Sequence, residues 1–185
     1  MFTGIVETQS AVLGLANGLL RLARPVFFKN LKKGQSIAVN GCCLSVNDFS
    51  KNKIEFCLMH ETLNCTNLGQ AKVVNLERAL PASGRFEGHM VAGHVDGVLE
   101  FLRSEGERFY FQMPPDFPQF FVHKGSVALN GVSLTVASEN EKEFCICLID
   151  QTLEKTNLGK LQTGDIVNFE CDLLAKFFLK SLREK

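Results

Sequence analysis

The chain repeats itself at the length of a whole domain. Ser36-Ile-Ala-Val-Asn-Gly-Cys-Cys-Leu-Ser-Val46 returns ninety residues later as Ser126-Val-Ala-Leu-Asn-Gly-Val-Ser-Leu-Thr-Val136, and Glu61-Thr-Leu-Asn-Cys-Thr-Asn-Leu-Gly69 returns at the same offset as Gln151-Thr-Leu-Glu-Lys-Thr-Asn-Leu-Gly159. A period this long exceeds any solenoid unit and predicts two homologous domains. Each half then has roughly 90 residues, a size at which a core is thin and an interface between halves or chains adds needed burial. The copies differ where chemistry concentrates, because Cys42-Cys43 faces Val132-Ser133 and Ser45 faces Thr135. One fold has been given two jobs.

Strand patterns dominate both halves. Residues 11–15 and 19–24 flank Asn17-Gly18, a pair suited to the positive φ angles of a tight hairpin. Residues 44–49 and 54–58, 98–103 and 108–113, and 134–138 and 144–149 form further hairpin candidates. Some six short strands per half fit a small antiparallel barrel or sandwich, with helical turns near 61–66 and 151–156 crossing the barrel ends. The stretch Leu80-Pro-Ala-Ser-Gly-Arg85 interrupts the pattern just before Met90-Val-Ala-Gly-His-Val95, which aligns with Met1-Phe-Thr-Gly-Ile-Val6, and reads as the linker. The expected division is 1–87, 88–171 and a helical tail, 172–185. In that tail Asp172 suits an N-cap, Leu174, Phe178 and Leu182 form an apolar stripe with Leu173 and Phe177 beside it, and Lys180, Arg183 and Lys185 sit at the negative end of the dipole. The stripe either packs on its own chain or joins subunits.

Charge excludes some partners. Twenty basic and 20 acidic side chains balance, with no basic run to neutralise a phosphate backbone, so nucleic acid is not expected. No signal peptide or membrane span is indicated. The cysteines at 42, 43, 57, 65, 145, 147 and 171 lack C-x-x-C spacing and read as reduced thiols in a cytoplasmic protein.

Several residues could carry chemistry. Cys42 and Cys43 enter a strand, so one thiol should face the barrel interior and the other something outside it. Cys145 and Cys147 share a strand face and read as core. His89 and His94 each follow a glycine; His94 replaces Ile5 of the first copy, a departure that packing does not favour, and imidazole suits proton transfer near neutrality. The bland alternative makes His89 a cap on the linker and His94 a satisfied polar residue. His60 and His123 read as surface. Ser133-Leu-Thr135 and Cys43-Leu-Ser45 each put two polar groups on one strand face, able to hydrogen-bond the edge of a flat heterocycle. No Ser-His-Asp order, P-loop or G-x-G-x-x-G occurs, which argues against acyl transfer, nucleotide hydrolysis and dinucleotide binding.

Taken together, these strings resemble the riboflavin synthase family over nearly the whole chain. The resemblance rests on Met1-Phe-Thr-Gly-Ile-Val6, Asn40-Gly-Cys-Cys-Leu-Ser45, Glu61-Thr-Leu63, Gly88-His89, Gly93-His-Val-Asp-Gly97, Asn130-Gly-Val-Ser-Leu-Thr135, Thr152-Leu-Glu154 and Asp172-Leu-Leu-Ala-Lys176. It implies an all-β fold of two six-stranded antiparallel Greek-key barrels in tandem plus a C-terminal helix. It further implies a homotrimer, sites shared between the first barrel of one subunit and the second of a neighbour, and dismutation of two 6,7-dimethyl-8-ribityllumazine molecules to riboflavin and 5-amino-6-ribitylaminouracil. Neither cofactor nor metal is implied, and lumazine synthase is a candidate partner. The alternative is a non-catalytic lumazine- or flavin-binding protein.

Carried over by resemblance, the first-barrel pocket takes Gly4, Ile5, Val6, Cys43, Leu44, Ser45, Cys57, Leu58, Met59, His60, Glu61 and Thr62. The second takes Gly93, His94, Val95, Lys124, Ser133, Leu134, Thr135, Leu148, Ile149, Asp150, Gln151, Thr152 and Leu153. Cys43, His94, Ser133, Thr135 and Asp172 are the implied catalytic residues, with Phe2 in support. Two departures from the family pattern stand out: the first copy is three residues shorter between Gly69 and Asn75 than the second between Gly159 and Asn168, and Glu87 precedes Gly88-His89.

Overall fold

In a computed structural model describing residues 1–183, the repeat forms two closed antiparallel barrels of six strands each. The first comprises β1 (Thr8–Ala16), β2 (Leu19–Ala23), β3 (Ser36–Val39), β4 (Cys42–Phe49), β5 (Lys53–Cys57) and β6 (Val73–Arg78), in the order β1-β2-β5-β4-β3-β6. The second comprises β7 (Gly97–Glu105), β8 (Arg108–Gln112), β9 (Ser126–Leu129), β10 (Val132–Glu139), β11 (Glu143–Cys147) and β12 (Ile166–Cys171). Sequence alternation explains the closure: in β4, Cys42, Leu44 and Val46 point inward while Cys43 and Ser45 point outward. Asn17 and Gly18 both take positive φ, 51° and 74°, and make the first hairpin as the sequence predicts. Short helices α1 (His60–Cys65) and α2 (Asp150–Lys155) close one end of each barrel, with Leu63 and Leu153 packed on the respective cores.

The barrels are joined around a local two-fold relation. Phe2 and Val91 exchange backbone hydrogen bonds of 2.8 and 3.2 Å across it, and Gly41 and Gly131 meet so closely that a Cβ on either would lie 2.8 Å or less from the other's backbone nitrogen. Around these contacts lie six asparagines at three repeat-related positions: Asn40 and Asn130, Asn67 and Asn157, Asn75 and Asn168. Their amides bond one another and backbone groups across the junction, as in Asn75 Nδ2 to Asn157 Oδ1 (2.9 Å) and Asn168 Nδ2 to the Asn40 carbonyl (2.8 Å). Buried amides are costly unless paired, so this net specifies how the barrels dock.

The tail forms α3 (Leu173–Arg183), capped by Asp172, whose Oδ1 accepts the Leu174 N–H at 2.8 Å. Lys185 lies outside the described residues. Its first turn is tied down by Lys176 Nζ on Asp96 Oδ2 (2.6 Å), but Leu174, Phe177, Phe178 and Leu182 remain exposed. Of the two expectations for the stripe, the intrachain one is not met. Among the described residues no helix is long and apolar enough to cross a membrane.

Candidate active site

Each barrel presents an outer wall of small polar groups. On the first, Cys43 and Ser45 project from β4, and the Val46–Phe56 pairing brings Ser45 alongside Cys57 one step on. On the second, Ser133 and Thr135 project from β10, and the Val136–Ile146 pairing brings Thr135 alongside Cys147. Strand parity divides the vicinal thiols as expected: Cys42 lies in the core, its thiol pushed up to about 12 by burial, while Cys43 is half-buried beside Phe2. Burial bears out the reading of Cys145 as core and corrects that of Cys147. Phe144 and Ile146 occupy the inward positions of β11, so both cysteines point outward, Cys145 covered and Cys147 exposed.

The segments beside the walls are exchanged. The expected grouping of Gly4, Ile5 and Val6 with Cys43, and of Gly93, His94 and Val95 with Ser133, is reversed. The Gly4 carbonyl accepts the Ser133 N–H at 2.8 Å, and the Gly93 carbonyl accepts the Cys43 N–H at 2.8 Å. Val6 packs in the second core and Val95 against the first. The reason is the Phe2–Val91 crossing, which hands each segment to the opposite barrel. Both crossings require glycine: Gly4 and Gly93 have φ of 77° and 83°, and a Cβ would lie 2.6 Å from Ser133 Cβ and 2.5 Å from Cys43 Cβ.

Two buried carboxylates hold the exchanged segments. Glu77 on β6 accepts the N–H groups of Thr3 (2.7 Å) and Gly4 (3.0 Å), and Glu170 on β12 accepts those of Ala92 (2.7 Å) and Gly93 (2.9 Å). Burial outweighs these bonds and raises both carboxyls, Glu170 to about 7. Neither carboxylate, nor the asparagine net, stood out in the sequence, although their repeat-related spacing was there to be read.

The other expected site residues are dispersed around the walls. Leu44, Leu58, Leu134 and Leu148 turn into the cores, so only their backbone can face a ligand. Met59, His60, Glu61, Ile149, Asp150 and Gln151 are exposed at the starts of α1 and α2, where Thr62 and Thr152 are half-buried. His94 and Ile5 are exposed on the exchanged segments, and Lys124 is exposed where its N–H bonds the Val136 carbonyl at 2.9 Å. Asp172 caps α3 and acts electrostatically on His89. His89 lies on the second wall, Nδ1 2.7 Å from Ser133 Oγ, rather than serving as a linker cap. A cavity of about 540 Å³ lies elsewhere, in the groove beside the asparagine net.

Comparison with known proteins decides the family. The lumazine binding domain profile matches residues 3–79 and again 92–172. The chain is 37% identical to riboflavin synthase of Bacillus subtilis over 195 residues, covering 100% of this chain and 91% of that protein. The chain belongs to the riboflavin synthase family. Riboflavin synthase of Schizosaccharomyces pombe is 39% identical, with 96% of this chain and 91% of that protein covered. Among solved structures, LumP complexed with riboflavin matches with a TM-score of 0.82 at 26% identity, covering 92% of this chain and 99% of that one. LumP complexed with 6,7-dimethyl-8-(1'-D-ribityl) lumazine matches at 0.79 and 25%, covering 92% and 98%. Riboflavin synthases are transferases, and the resemblance read from the sequence motifs is thereby established as kinship.

Proposed function

We propose that this transferase catalyses the dismutation of two 6,7-dimethyl-8-ribityllumazine molecules, one passing a four-carbon unit to the other, to give riboflavin and 5-amino-6-ribitylaminouracil. One observation carries the reading: the two outer walls are equivalent in backbone and unequal in chemistry. Cys43 and Ser45 with the segment of His94 form one, Ser133 and Thr135 with His89 the other. Two copies of one ligand need similar pockets, and their opposite fates need pockets that differ. Neither reactant requires a cofactor or metal.

The proposed reaction site lies between the first wall of one subunit and the second wall of a neighbour. The exchanged segments support this: within one chain His94 lies with Cys43, so it can join Thr135 in drawing a proton from the 7-methyl group only if walls from two chains face each other. Cys43 or Ser133 then stabilises the adduct at ring carbon seven, and Asp172 and Phe2 support the walls. Holding both ligands in one site converts a bimolecular encounter into a positioned one. Exposed apolar residues beside the walls, Met59 at 70% and Ile149 at 66% relative accessibility, suit such a junction. In this reading the chain is a cytoplasmic homotrimer joined through α3, its units run 1–87, 88–171 and 172–185, and lumazine synthase is a candidate partner. Incubation with 6,7-dimethyl-8-ribityllumazine alone is the test. Riboflavin and the pyrimidine should form in equal amounts, whereas tight binding without product would make this a lumazine carrier.

A further inference from the structure

His89 directly precedes Met90–Val95, the segment that aligns with Met1–Val6. Its backbone N–H donates to the Thr3 carbonyl at 3.1 Å, and Gly88 runs so close to Thr3 that any Cβ there would collide with the same carbonyl. The imidazole is thereby delivered to one wall only, with Nδ1 2.7 Å from Ser133 Oγ. Among the described residues Nε2 is buried without a hydrogen-bond partner, and the ring's one side-chain hydrogen bond is to this hydroxyl. A buried ring nitrogen left unpaired is costly, so the ring is held in place by packing and by this one bond, and its orientation sets that of the serine hydroxyl. Burial favours the neutral ring, in which one nitrogen donates and the other accepts.

We propose that His89 is the positioning residue of Ser133: the pair fixes the hydroxyl rotor and shares its proton, and does so on the second wall alone, which gives only one of the two bound ligands a serine aligned by imidazole. The segment that follows the linker then supplies both histidines of the machinery, His94 to the first wall and His89 to the second. This rests on the dismutation reading above.

The test is a double-mutant cycle of His89→Ala and Ser133→Ala with purified full-length protein and 6,7-dimethyl-8-ribityllumazine, read as kcat and KM separately. His89→Ala should lower kcat about tenfold or more with little change in KM. The double variant should be no slower than Ser133→Ala, because the histidine acts through the serine. His89→Asn, which can place an amide near the Nδ1 position, should recover part of the loss. A His89→Ala enzyme with unchanged kcat, or losses that multiply in the double variant, would overturn the proposal. If the alanine variant does not fold, the same cycle run with His89→Asn decides it. Absence of turnover by the unmutated chain would instead bring down the functional reading, and this inference with it.

Discussion

Adjacent thiols meet different surroundings in β4, Cys42 among core side chains and Cys43 beside Phe2 on the outer wall. Cys43→Ala should therefore depress turnover strongly, while Cys42→Ala should cost about 1 kcal/mol of stability and leave kcat near normal. Steady-state rates beside denaturation midpoints separate the two, and equal losses of turnover would remove Cys43 from the site. Glu170 makes a second residue-scale case. An unfolded glutamate titrates near 4.5 and the folded one at about 7, so between those values the folded chain holds more protons. Stability from this group is thus highest in mild acid and falls as pH rises from about 4.5 to 7. Denaturation of Glu170→Gln at pH 5 and pH 8 should show a smaller change than the unmutated chain, by on the order of 2 kcal/mol; parallel curves would mean the carboxyl is ionised throughout.

At the scale of elements, α3 leaves its apolar face uncovered, with Phe177 and Phe178 each more than 60% exposed. Ending the chain after Asp172 should give smaller particles with less activity, and an unchanged mass in analytical ultracentrifugation would free the helix from any assembly role. The strands were legible because alternation and the Asn-Gly turn are local signals. What the sequence did not disclose is what strands exchange over distance. Alignment of Met1-to-Val6 with Met90-to-Val95 showed that two equivalent segments exist, but equivalence under a two-fold relation is also satisfied by a swap, so the ligand walls were paired with the wrong segments. Cys147 departs from the core reading because it ends β11 on the outward face, one step past Ile146, where it is left exposed while Cys145 is covered. The place of His89 on the second wall is equally illegible, because its contact with Ser133 spans 44 residues and depends on the crossing.

For the whole molecule, the asparagine net sets one docking of the barrels. Asn130→Ala would take the acceptor from the Asn168 N–H and from one Asn67 amide hydrogen, while Asn157 Oδ1 keeps only Asn75, and a loss of about 2 kcal/mol in chemical denaturation is expected. The site between subunits can be tested by mixing. Cys43→Ala and Ser133→Ala chains each carry a lesion at every site of their own oligomer, yet co-refolding them pairs intact first walls with intact second walls. Activity should rise above the mean of the two variants, and mixed oligomers without that rise would place the site within one chain. The crossing at Phe2 and Val91 has one more consequence. Two separate half-length chains, each lending its leading residues to the other, would make the same handshake as a symmetric homodimer, and residues 1–87 alone should therefore pair as dimers and bind riboflavin without turnover. Fusion of two such chains turns an obligatory symmetry into an optional one: once both partners are written in a single message, one side of the handshake can carry His94 where the other keeps Ile5.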